Sequence, residues 1–220
     1  MHLPSQCAIC KAWPSRAICD ACVAAFGRPA QRCQKCAVES ALNICTACRQ
    51  NPPLLNACWA AMSYTWPWVA LIAQFKFQSQ PGWARHFALL MHSTPFVADA
   101  IEQAHALVPI PLSFKRLSER GFNQSLMLSQ HLSRDKTHAN SLLRMRNTLA
   151  QSSLPRHQRL TNLKGAFAVA PLMAAQLKGK RILLIDDVMT SGATLNAAAQ
   201  ALQQAGVSHV SALVFAKTPT

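Results

Sequence analysis

The chain has 220 residues, of which 50% are hydrophobic and 14% are charged, a composition that excludes a disordered polymer and fits one or two globular domains. Its 22 Lys and Arg against 8 Asp and Glu give a formal net charge of +14, so anions, phosphates above all, are the expected partners. It has no long apolar run and no secretion signal at its start, so we expect a cytoplasmic protein without membrane insertion.

Eight of the nine cysteines form four CxxC pairs near the start of the chain. The second two pairs repeat the first two at an offset of 26 residues, which indicates an internal duplication. Two CxxC turns supply four thiolates, the ligand set of a closed structural zinc site. We therefore expect two structural Zn²⁺ ions, and sequential pairing assigns to them Cys7, Cys10, Cys19 and Cys22, and Cys33, Cys36, Cys45 and Cys48.

Other arrangements of these cysteines stay open. The ligands could interleave between the two ions, and redox-active pairs or disulfides are alternatives, although neither of the last two explains the duplication. Cys58 lies outside the repeat and is expected to be a small buried hydrophobe. Because the segment has few large apolar residues and ends near Pro52, we predict a double zinc ribbon over 1–52 and a second domain over 53–220.

From position 54 onward, apolar segments predict strands and helices in turn. In chain order they are a strand within 58–66, helices at 68–77 and 83–91, a strand at 106–111, a helix at 123–132, a strand at 142–145, and a long polar loop at 147–162. The last third predicts a strand at 182–185, a helix at 193–205 and a strand at 207–215. A strand, a helix and a second strand in this order form a crossover, which implies parallel pairing of the two strands. The expected fold is therefore α/β, with a parallel sheet and flanking helices.

The segment 182–195 carries the most chemical information. Asp186 and Asp187 follow its apolar strand and should lie at the carboxyl end, where open α/β sheets bind ligands. Adjacent acids need hydroxyls or a divalent cation as partners. The turn that follows should hold an anion at a helix N-terminus, and it comprises Val188, Met189, Thr190, Ser191, Gly192, Ala193 and Thr194. An ordinary capped strand-to-helix turn is the alternative.

Carboxylates beside a phosphate-binding turn suit a ribose 5-phosphate. The stretch resembles the 5-phosphoribosyl 1-diphosphate (PRPP) signature of type I phosphoribosyltransferases. That resemblance implies that Asp186 and Asp187 hold the ribose hydroxyls, that the turn wraps the 5-phosphate, and that Mg²⁺ accompanies PRPP. Met189 stands where purine-salvage relatives often carry an acidic residue, so no residue for recognising a nucleobase is evident.

A basic segment over 107–165 holds ten Lys and Arg against two acids. Its runs 108–111 (VPIP) and 115–124 (KRLSERGFNQ), together with Leu143, Arg144 and Gly165-Ala166-Phe167, resemble the ComF family of phosphoribosyltransferase-like proteins, which includes ComFC and GntX. With the zinc ribbons, the resemblance covers essentially the whole chain.

The resemblance implies a loop for pyrophosphate and a mobile loop that closes over the site. The candidates are Lys115, Arg116 and Arg120 for the first, of which Lys115 and Arg116 would join the two acids in catalysis, and Arg144, Arg146, Gln151, Arg156 and Arg159 for the second. A solvated basic face is the alternative for each of them. Trp66, Trp68, Phe75 and Phe77 would either stack on a ligand or pack in the core.

The function expected from this resemblance is that of a PRPP-binding phosphoribosyltransferase-like protein that acts in DNA uptake or competence, and whether it is an enzyme stays open. One alternative is a non-enzymatic factor that binds single-stranded DNA and works with the DNA-uptake machinery, with the same fold as its scaffold. A GntX-like metabolic role is another alternative, without a residue signal of its own. In every case the acceptor substrate stays open.

Overall fold

The computed structural model describes residues 5–145 and 165–219. Its helices are α1 Asp20–Phe26, α2 Thr46–Gln50, α3 Trp68–Phe77, α4 Trp83–His92, α5 Val97–Gln103, α6 Phe114–Arg120, α7 Gln124–Leu132, α8 Pro171–Leu177 and α9 Ala193–Gln204. Its strands are β1 Cys58–Ser63, β2 Ala106–Pro109, β3 Leu142–Arg144, β4 Phe167–Val169, β5 Arg181–Met189 and β6 His209–Lys217.

Four strands form one parallel sheet in the order β1, β6, β5, β2. Residues 182–185 of β5 and 212–216 of β6, in its two central strands, are all apolar because both faces of the sheet are covered there. Ile182 and Leu184 of β5 pack beneath α9, whereas Leu183 and Ile185 face α3 and α4. The predicted α/β fold with a parallel sheet and flanking helices is confirmed. Strands β3 and β4 pair antiparallel in a separate small sheet.

The two cysteine-rich halves have the same local structure at the 26-residue offset. Helix α1 begins after Cys19 and helix α2 after Cys45. Lys11 and Ala37 occupy equivalent positions and both have a positive φ, of 65° and 55°. The backbone thus confirms the duplication that the sequence indicates.

Each half brings its own four sulfur atoms together. Within each set these atoms lie within 4.8 Å of one another, with Cys7 Sγ 3.8 Å from Cys22 Sγ and Cys36 Sγ 3.8 Å from Cys45 Sγ. A tetrahedral Zn²⁺ with bonds of about 2.3 Å separates its sulfur ligands by about 3.8 Å, so the clusters fit zinc. The two clusters follow the sequential pairing, so the ligands do not interleave between the two sites.

The ribbons attach to the edge strand β1 from both faces of the sheet. Ile18 of the first half belongs to the core on the α3 and α4 side, and Ala37 of the second half to the core beneath α9. The N–H of Cys58 donates to the carbonyl of Gln34 at 2.8 Å, and Arg32 Nη2 donates to Ser63 Oγ at 2.9 Å. The domain boundary at 52/53 stays a prediction, because residues before it and residues after it pack in the same two cores.

Four elements lie close to where the sequence predicts them. They are α3 (predicted at 68–77), α4 (83–91), β2 (106–111) and α7 (123–132). Two boundaries were wrong. Strand β5 runs to Met189, so the paired acids lie inside it, and β6 is shifted two residues toward the C-terminus. Helices α5, α6 and α8 and strand β4 were not predicted, and the whole of the predicted loop at 147–162 lies outside the described residues. In the part of the chain described, no helix is long and apolar enough to span a bilayer.

Replacing one cysteine of a cluster should remove one metal ion. For Cys22→Ser and for Cys48→Ser, both buried, we expect zinc per chain to fall from two to one, because an incomplete ligand set cannot close the tetrahedron. Elemental analysis of the purified proteins checks this. The control is Cys58→Ala, a buried cysteine outside both clusters, which should retain two ions; a loss of zinc there would contradict the assignment.

Candidate functional site

The acidic pair lies where β5 loses one of its strand neighbours. Strand β2 ends at Pro109, opposite Ile185, while β5 continues beside β6 to Met189. From Asp186 onward, the β2 side of β5 is therefore open to side chains from other elements. This is the carboxyl edge of the sheet, the place where parallel α/β sheets bind ligands.

Asp187 forms an ion pair with Lys76 of α3. The distance from Lys76 Nζ to Asp187 Oδ1 is 2.9 Å, and the two side chains are only 16% and 11% exposed. Screening by water is weak at such burial, so the two charges interact more strongly than an exposed pair. The ammonium group of Lys76 therefore neutralises one of the two acids.

Asp186 has neutral hydrogen-bond donors instead. Its Oδ1 accepts from Ser125 Oγ of α7 and from the backbone N–H of Asp187, both at 2.9 Å. Loss of water around the carboxyl and the neighbouring charge of Asp187 raise the pKa of Asp186 to about 7, against the opposing effect of Lys76. The pair as a whole therefore carries less negative charge than two ordinary carboxylates.

The turn after β5 leads directly into helix α9. Gly192 has φ 78°, and a Cβ at this position would lie 2.5 Å from Met189 Cε, so the turn requires glycine for its conformation and for its close packing. Met189 is buried under the turn, and its sulfur accepts from Cys58 Sγ at 3.6 Å. Its side chain therefore supports the turn from below.

A buried lysine fixes the start of the same turn. Lys217 at the end of β6 donates from Nζ to the carbonyl of Thr190 at 2.9 Å and to that of Thr218 at 2.8 Å. Thr190, Ser191 and Thr194 are all half-buried, next to the first backbone N–H groups of α9. Hydroxyls and a helix N-terminus thus meet within a few residues, an arrangement suited to a phosphate group.

The basic candidates that follow β2 are on a helix and not on a loop. Helix α6 holds Lys115, Arg116 and Arg120 between the capping hydroxyl of Ser113 and Gly121. Arg120 lies over the ring of exposed Phe77, 5.2 Å from its centroid. Burial lowers the pKa of Arg120, while the charges of Asp187 and Asp186 act to raise it, because the guanidinium lies within electrostatic reach of both acids.

Lys115 is mainly exposed to solvent. Its side chain is 78% exposed, and its amine lies 4.0 Å from Glu119 of the same helix.

Arg144 of β3 lies over the ring of Phe167, 5.4 Å from its centroid. Burial lowers the pKa of Arg144, and Arg116 and Asp186 are among the charges that act on it. The other candidates for a mobile loop lie outside the described residues: Arg146, Gln151, Arg156 and Arg159.

The aromatic candidates divide between core and surface. Trp68 and Phe75 are fully buried core residues, whereas Trp66 and Phe77 are exposed.

A cavity of about 600 Å³ lies elsewhere, between the ribbon segment and β1, and neither the acids nor the turn line it. We assign the site by its charged groups, because the cavity offers no comparable cluster among its lining residues.

Three residues of the site were missed by the sequence analysis: Lys76, Ser125 and Lys217. Each contacts the strand-and-turn segment from an element distant in the chain. Only Ser125 lay near a motif, the run 115–124 that suggested the family. The sequence held no signal for the other two, because the contacts depend on how α3 and β6 pack against β5.

The raised pKa of Asp186 predicts a pH dependence of folding. Its folded-state pKa of about 7 lies above the ordinary 3.8, so the folded state keeps a proton that the unfolded chain releases. This contribution to stability is complete below about pH 4 and is lost as the pH rises to about 7, with a slope of at most about 1.4 kcal/mol per pH unit. Urea unfolding across that range should show the loss in the wild type and not in Asp186→Asn.

The exposed residue Asp99 supplies the control for this titration. Asp99→Asn should follow the wild type at every pH, since its carboxyl is in water in both states. The cysteines are the same in all three proteins, so release of zinc in acid cancels in the comparison. A constant difference between wild type and Asp186→Asn would contradict the shift.

Gly192→Ala should destabilise the protein more than Gly179→Ala. Both glycines have a positive φ, of 78° and 71°, which costs an alanine about 1 kcal/mol. A Cβ at Gly179 meets nothing within 4 Å, whereas at Gly192 it must push the end of the Met189 side chain out of its packed position, for up to about 1 kcal/mol in addition. Denaturant unfolding measures both losses, and equal losses would show that Met189 does not support the turn.

Comparison with known proteins agrees with this geometry. The model of the phosphoribosyl transferase domain family matches residues 87–220, which include α6, α7, β5 and α9. Competence protein F of Haemophilus influenzae is 34% identical over 76% of this chain and 75% of that protein. DNA utilization protein YhgH of Salmonella typhimurium is 28% identical over 99% of both chains, and competence protein ComFC of Bacillus subtilis is 35% identical over 61% of this chain and 53% of that protein. The chain therefore belongs to the phosphoribosyl transferase domain family and, within it, to the ComF family.

Proposed function

We propose that the carboxyl edge of the sheet binds PRPP or a closely similar phosphorylated ribose. The observation that carries this proposal is the placement of Asp186 and Asp187 immediately before a turn of hydroxyls that opens helix α9. The carboxylates can accept hydrogen bonds from ribose hydroxyls, and the N-terminus of α9 can hold the 5-phosphate.

The chemistry that such a site supports is displacement at the anomeric carbon. The bond from C1 to the pyrophosphate oxygen breaks, the electron pair leaves with pyrophosphate, and a nucleophile forms the new bond to C1. Arg120 on α6 and Arg144 on β3 would stabilise the departing charge, since they lie within electrostatic reach of the acids, and Arg116 is close enough to act on both of these arginines. The acceptor that supplies the nucleophile is not identified by any residue of the site.

The family resemblance also implies Mg²⁺ with PRPP. The acidic pair offers a poor donor set for direct coordination, because Asp187 is paired with Lys76 and one oxygen of Asp186 already accepts two hydrogen bonds. A magnesium ion bound at Asp187 Oδ1 would have to displace a buried ammonium group. No step of the reaction above depends on the metal.

Calorimetric titration with PRPP tests the proposal. The wild type should bind, and Asp186→Asn/Asp187→Asn should lose about tenfold or more in affinity, because the amides keep the shape but not the charge of the hydroxyl-binding groups. This corresponds to about 1.4 kcal/mol or more.

The matched control removes two acids from the exposed face of α5. Asp99→Asn/Glu102→Gln changes the formal net charge by the same amount and should bind like the wild type. Circular dichroism verifies that both variants are folded. No binding to the wild type, or equal binding to both double variants, would reject the proposed ligand site.

Single-stranded DNA binding is a second candidate. It is favoured by exposed aromatic rings beside basic groups, since Phe77 lies under Arg120 and Phe114 precedes Lys115 on α6. Bases stack on such rings, and cations hold the phosphates. The relatives named as competence and DNA utilization proteins support this candidate and a role in DNA uptake, with the DNA-uptake machinery as partner.

Fluorescence anisotropy with labelled oligothymidine checks DNA binding. Affinity should fall steeply with salt, because binding releases counterions from the phosphates, and Lys115→Gln/Arg116→Gln should flatten that salt dependence. Lys178→Gln/Lys180→Gln is the control, with two exposed cations removed next to α8, and should leave binding unchanged. No binding even at low salt would eliminate this candidate.

A further inference from the structure

Lys76 is a charged residue built into the site from a rigid element. It lies in the last turn of α3, whose Trp68, Leu71, Ile72 and Phe75 are all buried. Phe75 in turn packs against Phe87 and Phe122. The helix that carries Lys76 is therefore fixed in the core, and so is the backbone position from which its side chain reaches Asp187.

Burial makes this placement costly unless the charge is compensated. The side chains of Lys76 and Asp187 are only 16% and 11% exposed. If either partner were neutral or absent, the other charge would be buried without compensation and the folded protein would be less stable. An ammonium group has three N–H donors, and the contact with Asp187 requires one of them. The others can serve a ligand that arrives beside the carboxylate.

The other charges around the acids are also cationic. Arg120 is within electrostatic reach of both carboxylates, and Arg144 of Asp186. With Lys76, three cations supplied by α3, α6 and β3 thus surround two acids, one of which is ion-paired. Such a site attracts a polyanion without any added cation.

Resting on the PRPP site proposed above, we propose that Lys76 supplies the positive charge that a divalent cation would otherwise bring to Asp187 and the pyrophosphate. PRPP then binds to this protein without Mg²⁺. Lys76 acts as a binding residue that bridges Asp187 and the ligand, while Arg120 and Arg144 neutralise the remaining phosphate charge. A divalent cation at the same carboxylate would be repelled by the ammonium group already there.

The test is a titration with PRPP in magnesium-free and magnesium-containing buffer. Resin-treated buffer is used in place of a soluble chelator, so that the zinc ribbons stay loaded, and zinc per chain is counted before and after. For the wild type we expect the two dissociation constants to agree within about threefold. Lys76→Met should bind about tenfold or more weakly without Mg²⁺ and should recover when Mg²⁺ is added. Lys76→Arg, which keeps the charge, should bind without Mg²⁺, and Lys180→Met, at an exposed lysine, should match the wild type.

The outcomes separate this inference from the proposal on which it rests. Wild-type binding that appears only with Mg²⁺ would overturn the role of Lys76 and leave the PRPP site intact. No binding in either buffer would reject the PRPP site itself. Equal binding of Lys76→Met and wild type without Mg²⁺ would also overturn the inference. If Lys76→Met fails to fold, the wild-type comparison can still overturn the inference, because binding that requires Mg²⁺ is incompatible with it.

Discussion

Two neighbouring carboxylates near the end of a buried strand impose the main constraint on this molecule. Asp186 and Asp187 are adjacent residues of one strand, whose side chains project to opposite faces, and their closest side-chain partners differ. Each is compensated from a different helix, Asp187 by Lys76 of α3 and Asp186 by Ser125 of α7. The packing of both helices against β5 is therefore tied to the chemistry of its last residues.

The same constraint links the core to the phosphate-binding turn. Met189 closes the strand, fills the space beneath Gly192 and contacts Cys58 on β1. Lys217, at the end of the neighbouring strand, holds the carbonyl of Thr190. The turn is thus supported by three strands of the sheet, which gives a ligand site the rigidity that positioning and electrostatic stabilisation require.

The sequence was most informative where local signals agreed. The apolar run before the acids, the glycine of the turn and the alanine-rich helix predicted β5 and α9, and the CxxC repeat predicted the metal clusters. Helix α6 was missed because none of its residues is buried, so it has no apolar period, and only its caps at Ser113 and Gly121 mark it. Lys76 could not be predicted, since its partner is more than a hundred positions away in the chain. The site therefore combines a motif that is local in sequence with charges that only the tertiary fold supplies.

The attachment of the ribbons to β1 has a consequence for solubility. A strand at the border of a sheet presents unpaired backbone groups, which can recruit a strand from another molecule and start aggregation. Here the ribbon segment bonds to Cys58 near one end of β1 and to Ser63 at the other. The cysteine-rich segment thus occupies both ends of this border, and a fragment lacking it would expose them to pairing with other chains.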